Sequence, residues 1–297
     1  MSWTVWILFS ACFLALYDLA KKASVRDNAV LPVLLCSTTF GCVAFMTVLA
    51  LTGDWASAWS RVDAQVAVLG IAKALIVAIS WIFTFCALRT LPITIATPIR
   101  ASAPALVLML AMVIYAERPS ALQFLGMGAV FAGYWQFSRA GKFEGIDFLR
   151  NRAVWCAVAG AVFSAASSLF DKFVFQRMNA PVEPVQFVFQ ISLIGVYAVA
   201  FLGSLTIAKV GGLPVKRFEW RWTIPCVGTL LAAADWLYFN GLAIPDTPIS
   251  VASLMRRFSV AITFVLGAIC FRETNLGRKG IALALILAGI VVLCLAG

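Results

Sequence analysis

Ten apolar runs separated by short polar breaks make up the chain: 3–20, 29–51, 64–88, 93–114, 119–138, 153–176, 184–206, 221–243, 247–270 and 276–296. Each is close to the roughly twenty residues that a helix needs to cross the hydrocarbon layer. In lipid every backbone N–H and C=O must be bonded inside its own segment, which selects helices over open strands. The connections are short. "LPIT" at Leu91–Thr94 and "IPDTP" at Ile244–Pro248 carry the proline chemistry of turns between closely linked helices. The pattern predicts an all-α integral membrane protein of ten transmembrane helices with no soluble domain.

Composition strengthens that reading. The chain is 63% hydrophobic and 12% charged, against about a quarter charged and less than half apolar in soluble domains. The formal charge of +10 is therefore a topology signal and not a nucleic-acid footprint. Of the 23 lysines and arginines, fifteen fall in odd-numbered loops, three in even-numbered loops and five inside spans. Positive loops stay in the cytoplasm, so both termini are expected outside, in a bacterial inner (cytoplasmic) membrane. The first span lacks the basic start of a signal peptide. The chain has no histidine, which excludes histidine relays, triads and metal sites. The eight cysteines lie in apolar runs without metal-type spacing and read as packing residues. No cofactor, no metal and no nucleic acid are expected.

The second half of the chain repeats the first. Between "LPITIATPIRASAPALVLMLAMVIYAERPS" (Leu91–Ser120) and "TPISVASLMRRFSVAITFVLGAICFRETN" (Thr247–Asn275), an offset of 156 matches Pro92 with Pro248, Arg100 with Arg256 and Glu117 with Glu273. "SWIFTFCAL" (Ser80–Leu88) matches "DWLYFNGLA" (Asp235–Ala243), and "LYD" (Leu16–Asp18) matches "LFD" (Leu169–Asp171). A charge-and-proline frame carried over nearly thirty residues is not chance apolarity. Five helices per half is odd, so the second half enters the membrane in the opposite sense. This is the two inverted five-helix repeats plan of secondary transporters, with a site near the midplane: residues 1–138, a connecting loop 139–152, and 153–297.

On these motifs the chain resembles the drug/metabolite transporter superfamily, in its EamA-type ten-helix form. The resemblance covers essentially the whole length. It implies a membrane carrier that moves small metabolites without ATP, distantly similar to the phosphate-translocator and nucleotide-sugar transporter branch. In that branch a Lys-Arg pair on the ninth helix contacts the substrate phosphate, and Arg256 and Arg257 stand at the matching place.

Charges inside the spans are the candidate chemistry. Lys73, Arg100, Lys172, Arg256 and Arg257 face Asp18, Asp171 and Asp235, an excess of two cations. Uncompensated charge is costly in a low-dielectric interior, and a dianion is the simplest missing partner. The planar fork of arginine suits phosphate or carboxylate. Adjacent Arg256 and Arg257 diverge by about 100° on a helix. One faces a cavity, and Arg257 either shares the ligand or pairs with Asp235. The expected substrate site comprises Arg256, Arg257, Arg100, Lys73, Asp235, Trp236, Tyr238 and Trp81, in a central cavity between the third, fourth, eighth and ninth spans. Asp18, Asp171, Lys172, Glu117 and Glu273 are candidates for proton coupling or gating. Asp18 also stands three and four residues before Lys21 and Lys22 and can pair within its own helix. Trp3, Trp6, Trp55 and Trp59, near span ends, read as an interfacial belt. Gly128 with Ala132, and Gly280 with Ala284, have small-xxx-small spacing for packing within a monomer or a homodimer.

The function expected is secondary transport of a small anionic organic metabolite, phosphate-, phosphonate- or carboxylate-bearing, by alternating access. The alternatives are an exporter of zwitterionic or aromatic amino acids, or a lipid flippase of the same fold. No paired protease-type acids, nucleophile elbow or metal motif speaks for an enzyme.

Overall fold

The structure is a computed structural model that describes residues 3–52, 59–101, 103–114, 120–142, 146–174, 178, 180–211, 217–242 and 249–295. Its helices are α1 (Trp3–Val25), α2 (Val30–Thr52), α3 (Ala64–Thr90), α4 (Ile93–Ala101), α5 (Ala103–Ile114), α6 (Ala121–Lys142), α7 (Arg152–Lys172), α8 (Val182–Gly211), α9 (Thr223–Leu242), α10 (Ile249–Phe271) and α11 (Leu276–Leu295). A helix stands at each of the ten expected places, at the fourth as two segments, α4 and α5. Pro98 inside α4 and Pro104 at the start of α5 each withhold a backbone donor, which weakens the helical ladder there. Among the described residues, six helices are long and apolar enough to span a membrane by themselves.

Local chemistry sets the helix ends. Asp63 caps α3 by accepting from Val66 N at 2.7 Å, and Asn151 caps α7 by accepting from Ala153 N at 2.9 Å. At the far end of α3, Lys22 of α1 donates to the carbonyls of Leu88 and Leu91, both at 2.6 Å, placing a cation at the negative end of that helix.

Helices of the first half pack chiefly on those of the second. α1 lies against α9 and α10, α2 against α9, α3 against α7 and α8, and α6 against α11. The α6–α11 seam is a close backbone approach: a Cβ on Gly126 would stand 3.0 Å from Gly289 O, and one on Gly133 2.9 Å from Ala282 O. Residue numbers rise along α6 as they fall along α11, so the two run antiparallel. The seam therefore uses Gly126 and Gly133, while Gly128 and Gly280 of the expected small-residue stripes face open space.

The outside is apolar, with Val199 73% and Ile269 69% exposed, as lipid contact requires and water would not allow. Odd-numbered loops meet at one end. Arg221, before α9, donates to the carbonyls of Ala23 and Arg26, both at 2.7 Å. The ends of α1, α3 and α10 surround one open concavity of about 390 Å³ containing Lys22, Arg26, Arg89 and Glu273.

Candidate functional site

A cavity of about 280 Å³ lies inside the helical layer, lined by Arg100, Arg256, Arg257, Tyr238, Ser164 and Ser168, with Leu14, Ala103, Ser259 and Val260 completing the wall. It draws on α1, α4, α5, α7, α9 and α10. Of the four spans expected from sequence, the fourth, eighth and ninth line it and the third, α3, supplies no lining residue, while walls from α1 and α7 are added. Ser164 and Ser168 sit one turn apart on an apolar helix, an i, i+4 hydroxyl pair that the sequence reading passed over and that could have marked α7.

Arg100 and Arg256 each have a carboxylate from another helix. Arg100 bonds Asp18 through Nη2, and Asp18 also holds Lys21 of its own helix at 2.8 Å. Lys21 Nζ lies 4.3 Å from the centroid of the Tyr17 ring. Arg256 bonds Asp235 through Nη2 and stacks over Tyr238 at 4.3 Å. Its Nε is buried and has no hydrogen-bond partner among the described residues. One edge of the Arg256 fork is thus taken by protein, and another donor is unspent. Asp235 pairs with Arg256 rather than with Arg257. Adjacent to that pair is a second, small cavity of about 30 Å³ lined by Asp235, Trp81, Thr38 and Gln190.

The other expected residues fall elsewhere. Lys73 pairs with Asp171 at 2.9 Å, joining α3 to α7, and lies 5.1 Å from the Phe189 ring centroid. Trp236 packs edge-on against Trp6, with centroids 5.6 Å apart, and lines neither cavity. Glu273 caps α4: its carboxylate accepts from Ile93 N at 2.7 Å, from Thr94 N at 3.3 Å and from the Thr94 hydroxyl. Lys22 serves α3 rather than Asp18. Glu117, Trp55 and the side chain of Lys172 lie outside the described residues.

Sequence reasoning missed three buried cations. Lys21 and Lys279 are 1% and 0% exposed, and Lys22 is 6% exposed. They lie at span ends, where snorkelling to water is the usual expectation. Only packing from other helices covers them. Counting them, Lys21, Lys22, Lys73, Arg100, Arg256, Arg257 and Lys279 lie within the helical layer with Asp18, Asp171, Asp235 and Glu273. Cations thus exceed acids among the described residues.

The EamA-like transporter family model matches residues 1–139 of the chain. A solved crystal structure of a protein aligns over 98% of this chain and 95% of its own, with a TM-score of 0.64 and 18% sequence identity, a likeness of fold. No curated protein matches the chain. The family match covers the first 139 of the 297 residues, a likeness to the EamA-like transporter family over just under half of the chain.

Proposed function

We propose that this protein is a member of the drug/metabolite transporter superfamily and a secondary transporter that moves a small organic anion by alternating access through the central cavity. The carrying observation is the convergence of Arg100, Arg256 and Arg257 on one cavity. Three guanidinium groups in a partly desolvated space favour an oxyanion-bearing ligand, held by charge-assisted bonds. Serine and tyrosine hydroxyls supply further neutral donors. At about 280 Å³ the cavity stands at the small end of ligand pockets, near the ~300 Å³ lower bound, which suits a phosphate-, phosphonate- or carboxylate-bearing metabolite. The amino-acid alternative needs a carboxylate free for an amine, whereas Asp235 is engaged by Arg256.

The two-repeat plan, residues 1–138 and 153–297 joined by 139–152, is part of this proposal. Its support is the α6–α11 seam, where Gly126 meets Gly289 and Gly133 meets Ala282, the partners exchanging under the same offset of 156. Inverted halves with matched arginines give the site equivalent access from either side. The excess of lysine and arginine in odd-numbered loops supports, as part of the same proposal, an odd-loop end at the cytoplasmic side of a bacterial inner membrane.

The test is thermal shift of the purified protein against inorganic phosphate and small mono- and dicarboxylates, followed by uptake of the hits in proteoliposomes. A ligand at 100 times its Kd adds about 2.7 kcal/mol to stability. Arg256→Ala removes the shift and slows uptake on the order of 30-fold, a loss of ~2 kcal/mol, with Arg256→Lys between it and the parent. Normal uptake in both Arg256→Ala and Arg257→Ala, or stabilisation by cations alone, rejects the anion reading.

A further inference from the structure

Between the central cavity and the odd-loop concavity the molecule is shut. Ile93, Thr94, Ile95 and Thr263 are each 0% exposed. Along α10 the closed stretch from Val260 to Phe271 is about 16 Å thick at 1.5 Å per residue. Its tightest point is the crossing of α4 and α10, where a Cβ on Gly267 would lie 2.5 Å from Ile93 Cγ2 and 3.8 Å from Ile93 Cβ. While Ile93 keeps its Cγ2, a side chain at Gly267 forces this crossing apart.

The chain builds a clasp directly beyond that crossing. α10 ends in a Schellman motif: Arg272 takes φ 52°, Glu273 N donates to Ala268 O at 3.1 Å and Arg272 N to Ile269 O at 3.4 Å. This reversal turns Glu273 onto the first turn of α4, where its carboxylate receives the Ile93 and Thr94 amides and the Thr94 hydroxyl. A carboxylate at a helix N-terminus gains from both the unsatisfied amides and the helix dipole. The same carboxylate stands 3.6 Å from Lys279 Nζ on α11, which is fully buried.

We propose that Glu273 is the clasp that holds the odd-loop end of the path closed. It works by pinning the N-terminus of α4, an element of the first half, to the end of α10, an element of the second. Opening parts α4 from α10, so the three donors of α4 are surrendered. Lys279 sits beyond the clasp on α11 and follows Glu273 through the short 272–275 connection. The carboxylate therefore keeps a countercharge when α4 leaves, and the clasp is reversible. An N-cap between two halves differs from an ordinary cap in this respect, since making and breaking it changes which end of the path is sealed. The inference rests on the alternating-access part of the transport reading and not on the sign of the solute.

Cysteine chemistry in a background without native cysteines tests it without any solute. Thr263→Cys reports the closed layer, and Asp27→Cys, in the odd-loop concavity, reports the side that a membrane-impermeant maleimide reaches. Adding Glu273→Gln, which keeps the shape and removes the charge, speeds labelling of Thr263→Cys from the odd-loop side by about tenfold while labelling of Asp27→Cys is unchanged. The pair Ile93→Cys with Gly267→Cys has the 3.8 Å Cβ separation of a disulfide. It oxidises readily in the closed state and several-fold more slowly with Glu273→Gln. A merely structural cap predicts a lower melting temperature with both rates unchanged, and that result overturns the proposal. Faster oxidation in the Glu273→Gln protein overturns it as well.

Discussion

Arg100 and Arg256 stand 156 residues apart at matched places in the sequence, yet the molecule uses them differently. The Asp18 side chain that holds Arg100 is 2% exposed, and it holds buried Lys21 at the same time. The Asp235 side chain that holds Arg256 is 38% exposed and, among the described residues, has this one cation as its ion-pair partner. Both clusters include an aromatic ring 4.3 Å from a cation, Tyr17 under Lys21 and Tyr238 under Arg256. The difference lies in dryness and in how many charges share the carboxylate. A dry carboxylate between two cations is a structural cross-link of α1 to α4, because removing it strands both charges. A wetter pair beside a cavity is one that a ligand can compete for at modest cost. The arginine of the second half is thus better placed to exchange protein for solute.

The largest expected effect follows from that contrast. Asp18→Ala lowers stability by about 3–5 kcal/mol, the usual cost of breaking a buried pair from one side, whereas Asp235→Ala costs about 1–2 kcal/mol. Thermal or denaturant unfolding in detergent measures both, and equal losses would erase the distinction between the two arginine sites. A smaller effect concerns the pair that joins the halves. Lys73→Ala and Asp171→Ala each cost about 1 kcal/mol, because Asp171 is one-third exposed, and the exchanged pair Lys73→Asp with Asp171→Lys recovers part of the loss. Failure of the exchange to recover any stability means that the surrounding packing, including Phe189, and not the ion pair, joins α3 to α7 there. The smallest effect sets a baseline away from both arginines. Arg272 sits at φ 52°, so Arg272→Gly stabilises by up to about 1 kcal/mol through relief of the left-handed conformation. A loss on that change would show that the arginine side chain contributes more than its backbone costs.

Much of this was legible in the sequence because membrane constraints act locally. Apolar run length, proline-led turns and the matched frame around Arg100 and Arg256 can all be read from residues near one another in the chain. The cavity arginines and Tyr238 were legible for the same reason, since a charge inside an apolar run is conspicuous wherever it points. The serines of α7 were visible as a pair but carried no charge to mark them. The seam of α6 on α11 was not legible, since the stripes Gly128 with Ala132 and Gly280 with Ala284 and the residues that meet, Gly126 with Gly289 and Gly133 with Ala282, are all small and only contact chooses between them.

The amino-acid sequence determined the class, the helical runs and the presence of excess positive charge, because lipid permits few ways to satisfy a backbone and few reasons to keep an arginine. Tertiary structure alone decided the partners. Asp18 with Arg100 is separated by 82 residues and Glu273 with Ile93 by 180. No local rule specifies a pair at that distance, since each carboxylate had several cations within reach of a plausible packing. The burial of Lys21, Lys22 and Lys279 was decided in the same way, by helices arriving from elsewhere in the chain to close the water off.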